Sequence, residues 1–134
     1  MLPSGLPEVV ADDEDLARFL TQSNFFNKLM AKPACFLPGK KDRETSVSRH
    51  GQQPGERLWA IGLEAAGERP LYAAAVLKAS AVRDTGLDVV ADEPPPRHAV
   101  IRGWPLLQND PDLEKAQQKE IAVQLASQAT LILR

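Results

Sequence analysis

The dipeptide Arg-His occurs twice in this chain, at Arg49-His50 and Arg97-His98, and it contains both histidines of the sequence. An imidazole exchanges protons near neutral pH, and a guanidinium binds phosphate through paired hydrogen bonds. If both imidazoles reached one substrate, one could act as base and the other as acid. The pattern therefore indicates a small enzyme acting on a phosphate-containing substrate, such as RNA or a nucleotide. The alternative is that the two histidines are partly exposed and never meet.

Two further residues with binding chemistry follow the second Arg-His pair. Arg102 ends a short apolar stretch, and Trp104 stands between Gly103 and Pro105. An indole at a rigid loop end commonly anchors an interface, although Trp104 can equally close the core beneath the last helix. We therefore predict that six residues bind a ligand or a partner, and we assign no catalytic residue. The six are Arg49, His50, Arg97, His98, Arg102 and Trp104.

Hydroxyl side chains precede the first Arg-His pair, in the segment Thr45-Ser46-Val47-Ser48. A strand that carries serine and arginine can grip a phosphate or a ribose, because hydroxyls and guanidiniums both donate hydrogen bonds to oxygen. The alternative is that these are simply polar positions on the exposed side of a strand. The segment is thus a second candidate for contact with a nucleotide.

The sequence gives no support to other kinds of reaction centre. Two histidines and one cysteine are too few, and wrongly spaced, for a zinc site. Asp92 and Glu93 could complete a site near His98, but they fit a solvated acidic loop. Cys35 lies in an apolar segment, where thiols are commonly buried and inert. Dinucleotide-binding, P-loop and nucleophile-elbow motifs are all missing. We therefore predict no metal and no cofactor.

The composition is that of an ordinary water-soluble domain. The chain has 134 residues, of which 43% are hydrophobic and 25% charged, enough for one domain with a real core. Its net charge of −2 gives no general attraction to nucleic acid or to an acidic membrane. No apolar run approaches the length of about 20 residues that spans a bilayer, and no signal peptide is evident. We predict a cytoplasmic protein without a membrane partner.

The first part of the chain predicts an arm, a helix and a hairpin. Residues 1–12 form the flexible or extended arm, and residues 13–134 form a single α+β domain. The spacing of Leu16, Phe19 and Leu20 predicts a helix after an aspartate cap. Segments 34–37 and 45–48 predict two strands that pair across a charged loop. Phe25, Phe26, Leu29 and Met30 are expected to form a further turn that covers the core.

The second part predicts strands between two helices. Alanine content and Gly67 favour a helix over 56–66, with a strand as the alternative. A strand is favoured over 71–78, with a buried helix as the alternative. Further strands are expected at 87–90 and 98–102, the latter approached by an extended Pro94–Pro96. Asp110 and Pro111 begin the last helix, and Leu131-Ile132-Leu133 ties the end of the chain to the core.

Together these elements predict a small, mostly antiparallel sheet of about four to five strands, covered by the C-terminal helix and one or two others. Strand alternation should place Ala99 and Ile101 in the core and leave His98 and Arg102 on the opposite face, since an unpaired buried charge is costly. Because no catalytic constellation is complete, the sequence favours a non-enzymatic cytosolic interaction module. Its expected partner is an unknown protein or a second copy, and the phosphate-directed enzyme is the alternative.

Overall fold

The computed structural model describes residues 2–50 and 55–134. Within them, three α-helices and six strands alternate along the chain, with short 3-10 helices at Ser23–Phe25 and Pro33–Phe36. The strands are β1 (Asp15–Leu20), β2 (Thr45–Arg49), β3 (Ala73–Lys78), β4 (Asp88–Ala91), β5 (His98–Arg102) and β6 (Thr130–Leu133). The helices are α1 (Gly55–Ala66), α2 (Ala79–Asp84) and α3 (Pro111–Gln128).

The strands form one sheet in the order β4-β5-β2-β1-β3-β6. Every neighbouring pair is antiparallel. The predicted α+β fold with a C-terminal helix is therefore confirmed, although the sheet has six strands rather than about four to five. None of the helices in the described ranges combines the length and the apolar character needed to cross a membrane.

The sheet buries a different cluster on each of its two faces. On the α3 face, Leu16 and Leu20 of β1 pack in the main core together with Leu125 of α3. On the α1 face, Ala17 forms a smaller cluster with Leu58 of α1. Because successive strand residues point to opposite faces, β1 contributes to both clusters.

The predicted helix around Leu16, Phe19 and Leu20 is wrong, since these residues belong to β1. β1 lies inside the sheet between β2 and β3, and residues on both of its faces are buried. A strand covered on both sides loses the simple alternation of apolar and polar residues. The helical spacing of its three large apolar side chains was therefore coincidental.

The predicted hairpin of 34–37 with 45–48 is also wrong. The first segment forms the 3-10 helix Pro33–Phe36, which buries Cys35 as expected, and β2 pairs with β1 and β5 instead. The predicted turn over the core is confirmed for Phe25 and Phe26, which pack against the main core. It is wrong for Leu29 and Met30, which are 89% and 49% exposed. Proline at the first position favours the 3-10 turn over a strand, since it fixes φ near −65° and lacks an N–H.

β4 and β5 form a hairpin whose loop is residues 92–97. Their register runs from Asp88 opposite Arg102 to Ala91 opposite Ala99. The three prolines therefore turn the chain back on itself, and the predicted extended approach is wrong. The predicted register of β5 is confirmed, because Ala99 and Ile101 are fully buried while Arg102 is exposed.

The remaining predicted elements are found. Helix 56–66 corresponds to α1, and strand 71–78 to β3, after which the chain turns into the unpredicted α2. The carboxylate of Asp110 caps α3 by accepting a hydrogen bond from the N–H of Leu113. The apolar C-terminal segment pairs with β3 as β6. It lies at the edge of the sheet, so Leu133 remains 52% exposed.

Gly62 allows α1 to approach the sheet closely, and its replacement by alanine is expected to destabilise the protein. An added Cβ would lie 2.6 Å from the ring of Phe19 and 2.8 Å from a methyl of Leu71. Overpacking costs about 1–3 kcal/mol, which exceeds the gain of up to about 1 kcal/mol in helix propensity. Chemical denaturation should therefore show a net loss in the free energy of unfolding. Leu63→Ala, at an exposed position of the same helix, is the control, and a gain in stability for Gly62→Ala would contradict the packing described.

Candidate functional site

A cleft of about 560 Å³ lies between α1 and the α1 face of the sheet, and the β4–β5 loop contributes to its wall. The polar side chains lining it are Ser4, Arg18, Thr21, Ser46, Ser48, Arg57, Glu64, Arg69, Arg97 and His98. The apolar ones are Ala17, Phe19, Phe25, Val47, Ala60, Ile61, Ala65, Ala66, Pro95 and Pro96. This volume is within the range of about 300–1,000 Å³ that is usual for small-molecule sites.

Strand register brings Ser48 and His98 side by side in the cleft. Ser48 is opposite His98 in the β2–β5 ladder. The neighbouring position is hydrogen bonded, since the N–H of Arg49 donates to the carbonyl of Arg97 over 2.8 Å. Ser48 and His98 therefore form a non-hydrogen-bonded pair, the type in which facing side chains are closest. A hydroxyl and an imidazole are thus presented together to a bound molecule.

Asp92 contacts the Nδ1 side of the His98 imidazole and fixes the orientation of the ring. Nδ1 of His98 lies 2.9 Å from the carbonyl oxygen of Asp92 and 3.2 Å from its carboxylate. With two acceptors beside it, Nδ1 carries the proton in the neutral ring, which leaves Nε2 as an acceptor. The His98 side chain is 20% exposed, so it remains accessible to solvent.

Arg18 reaches the cleft where β1 and β2 separate. The two strands are paired only at Leu16 with Arg49 and at Ala17 with Ser48. Two residues further on, a continued ladder would join the N–H of Phe19 to the carbonyl of Ser46. That carbonyl instead accepts a hydrogen bond of 2.9 Å from the guanidinium of Arg18. The arginine therefore fills the gap between the strands, and its charge lies at the floor of the cleft.

Three of the cleft arginines are held in place by backbone carbonyls. Arg18 donates to Cys35 and Ser46, Arg69 donates to Ala65 and Ala66, and Arg97 donates to Arg49. A guanidinium has five N–H donors. Counting bonds to the described residues alone, five minus two leaves three on Arg18 and on Arg69, and five minus one leaves four on Arg97. These donors are positioned in advance, and a ligand can use them with little ordering of the side chains.

Arginines outnumber carboxylates in the described lining of the cleft. Among the described residues, Glu64 is the one acidic side chain in its lining, against four arginines. In the same part of the chain, Arg18, Arg57, Arg69 and Arg97 take part in no ion pair. This concentration of charge stands out in a protein whose net charge is −2. A cleft lined by one sign of charge focuses the field and attracts the opposite charge.

Burial lowers the pKa of the Arg18 guanidinium, and repulsion from Arg69 lowers it further. Both cations line the cleft. Both remain charged, because arginine does not lose its proton in proteins. An anion placed between them would relieve the repulsion that the empty arrangement contains.

The structure separates the six predicted site residues into three groups. Arg97 and His98 line the cleft. Arg102 is exposed on the same face of β5 but does not line it. Arg49, His50 and Trp104 are buried, at 0%, 4% and 4% exposure. The two Arg-His pairs therefore do not present four side chains to one common opening, and a role of all six in binding stays a prediction.

Arg49, His50 and Trp104 lie inside the fold and make contacts there rather than with the cleft. The guanidinium of Arg49 forms a two-pronged ion pair with the carboxylate of Glu14, at 2.7 and 2.8 Å, and also donates to the carbonyl of Pro7. Trp104 packs in the main core, which was the alternative considered for it. Burial lowers the pKa of His50, and its ring nitrogens have no partner among the residues described. His50 is therefore uncharged at neutral pH.

Sequence reasoning found part of the cleft and missed the rest. Ser46 and Ser48 were identified as possible contacts to a nucleotide, and they do line the cleft. Sequence reasoning missed Arg18, Arg57 and Arg69. Arg18 lies on β1, Arg57 on α1 and Arg69 just after α1, and no local sequence pattern connects the three. The repeated Arg-His dipeptide drew attention to Arg49, whose charge is used within the fold.

Comparison with known proteins finds no matching family model, no similar curated protein and no similar solved structure. Within the described ranges, histidine, cysteine and acidic side chains form no group of three that could hold a metal ion. The function of the cleft is therefore argued from its own geometry and charge.

Proposed function

We propose that this protein is a binding module for a small phosphate-bearing ligand, which occupies the cleft between α1 and the sheet. The observation that carries this proposal is that Arg18, Arg57, Arg69 and Arg97 line one opening, where Glu64 is the single carboxylate among the residues described. The sequence also favoured a binding module, but with a protein or a second copy as its partner. We now propose a small anion as the ligand instead.

Arginine is the side chain best suited to this ligand. Its planar guanidinium donates two parallel hydrogen bonds to phosphate oxygens, and such charge-assisted bonds are about twice as strong as neutral ones. Arg97 lines the cleft together with Ser48 and His98, whose hydroxyl and imidazole add further polar groups. An uncharged ligand would leave four cations in the cleft without a partner.

Arg57 provides the sharpest test, because it is exposed and no hydrogen bond of its side chain is found within the described residues. Wild-type protein is expected to bind pyrophosphate and adenosine triphosphate in calorimetric titrations. Arg57→Gln should weaken this binding about tenfold, the equivalent of 1.4 kcal/mol, in line with the worth of a hydrogen bond between charged groups. Binding should also weaken as salt is raised, since part of the attraction is screened.

Lys119→Gln is the matched control, because it removes the same charge from an exposed position of α3, on the other face of the sheet. Its affinity should equal that of the wild type. The proposal fails if neither phosphate compound binds the wild type, or if both variants weaken binding equally. Release of inorganic phosphate in the same samples separates binding alone from hydrolysis, in which His98 would accept the proton.

A further inference from the structure

We infer that the ligand is a nucleoside flanked by two phosphate groups, either a free nucleoside 3′,5′-bisphosphate or the same unit within a short single-stranded oligonucleotide. The inference rests on the proposed function and adds to it the class of the ligand. It follows from the arrangement of the cations, which form two separate groups at opposite ends of the cleft.

The packing of α1 on β1 defines these two ends. Leu58 packs with Ala17, and Gly62 lies against Phe19, so helix and strand run in the same direction. Arg57 is thus at the Ala17 end, where β2 and β5 bring Ser48 and His98 together. The first group of cations is therefore Arg57 and Arg97, with the imidazole of His98 beside them.

The second group of cations lies at the Phe19 end. Arg69 follows the last turn of α1 and is bound to its final carbonyls. Arg18 lines the same cleft and is held there by the carbonyls of Cys35 and Ser46. Along the helix axis, the eight residues from Arg57 to Ala65 span about 12 Å. Arg97 and Arg69 are held by backbone carbonyls at these two ends, and a hydrogen bond to phosphate requires a donor within about 3 Å of its oxygen. This arrangement favours two phosphates over one.

The side chains between the two groups suit a nucleoside. Phe19 and Ile61 offer an apolar surface, and aromatic rings are common stacking platforms for bases. Glu64, one helical turn beyond Ala60, is the one acceptor-only side chain in the described lining. Glu64 immediately precedes Ala65 at the Arg69 end of the cleft, where its carboxylate can accept hydrogen bonds from ribose hydroxyls.

The test compares four compounds by calorimetric titration of the full chain: adenosine, adenosine 5′-monophosphate, adenosine 3′,5′-bisphosphate and an adenylate trinucleotide. Adenosine should not bind measurably, and the bisphosphate should bind at least tenfold more tightly than the monophosphate. Arg57→Gln and Arg69→Gln should each remove this advantage. Thermal melts of both variants establish that they are folded. Lys119→Gln should keep the advantage.

The outcomes distinguish the inference from the proposed function. Equal affinity for the monophosphate and the bisphosphate would overturn the inference and leave a single phosphate site. Failure of every phosphate compound to bind would overturn both. If the bisphosphate binds more tightly than the trinucleotide, the ligand is a free nucleotide. If the trinucleotide binds more tightly, the ligand is a segment of an oligonucleotide. If Glu64 accepts a hydrogen bond from the ribose, the wild type should bind the 2′-deoxy bisphosphate less tightly than the ribose form. Glu64→Ala, which has no acceptor, should bind the two equally. A wild type that does not distinguish the two sugars would overturn that role.

Discussion

Replacement of Glu14 by glutamine is expected to lower the free energy of unfolding by about 3–5 kcal/mol, the cost of breaking a buried ion pair from one side. Arg49 is completely buried, and both of its bonds to a carboxylate come from Glu14. Glutamine keeps the size of the side chain and one acceptor oxygen but removes the charge. The guanidinium would then stay in the interior without a counter-charge. Denaturation with urea measures the loss.

Two further variants show that the loss comes from this ion pair. Glu8→Gln removes an exposed carboxylate from the same N-terminal segment and should change stability by less than about 0.5 kcal/mol. Replacing both Glu14 and Arg49 with methionine should recover most of the lost stability, because no charge remains buried. A double variant as unstable as Glu14→Gln would mean that the charge is not the cause.

The same ion pair predicts a loss of stability in acid. Burial alone would raise the pKa of Glu14, but hydrogen bonds from Arg49 and from the N–H of Ala11 lower it below the ordinary value of 4.5. A carboxyl whose pKa is lowered by folding stabilises the protein above its unfolded pKa, and this contribution disappears as pH falls through the folded pKa. The stability difference between wild type and Glu14→Gln should therefore be full above pH 4.5 and shrink below it.

Replacement of Leu125 by alanine is the second change expected to have a large effect, a loss of about 2–5 kcal/mol in the free energy of unfolding. Leu125 is fully buried between Ala122 and Ala126, on the side of α3 that packs against the sheet. Truncation would leave a cavity in the main core, where α3 packs against the 3-10 helix Pro33–Phe36 and also contacts β3 and α2. Because this cavity cannot readily collapse, the loss in the free energy of unfolding should exceed the loss caused by a typical substitution at the surface.

Gln124→Ala provides the control for Leu125→Ala. The residue precedes Leu125 on the same helix, and its side chain is exposed, so the change should stay within about 0.5 kcal/mol. Equal and small losses from both substitutions would show that α3 is not docked on the sheet. The comparison therefore tests the layer arrangement itself, independently of the cleft.

Elements with local chemical signals were predictable from the sequence. Asp110-Pro111 identified the start of α3, because a cap and a proline act within one turn. The faces of β5 were also predictable, since Arg102 cannot be buried unpaired. β1 was not predictable in this way. Its side chains are covered on both faces by elements distant in sequence, so the pattern carried no strand signal.

The cleft was less accessible to sequence reasoning than the fold. Arg97 and His98 lie in one dipeptide, but Arg57 and Arg69 join them only because α1 packs along β1. Whether an arginine is free or paired depends on tertiary contacts. Arg49 and Arg97 have the same local sequence, yet one is bound to Glu14 and the other faces the cleft.

The short ladder between β1 and β2 also affects how rigidly the two halves of the sheet are joined. It divides the sheet into two three-stranded units, β4-β5-β2 and β1-β3-β6, which the backbone joins at only one end. The cleft crosses this seam, with Ser48 and His98 on one unit and Phe19 on the other. A molecule bound in the cleft would contact both units. Binding would therefore restrict the motion of one three-stranded unit relative to the other.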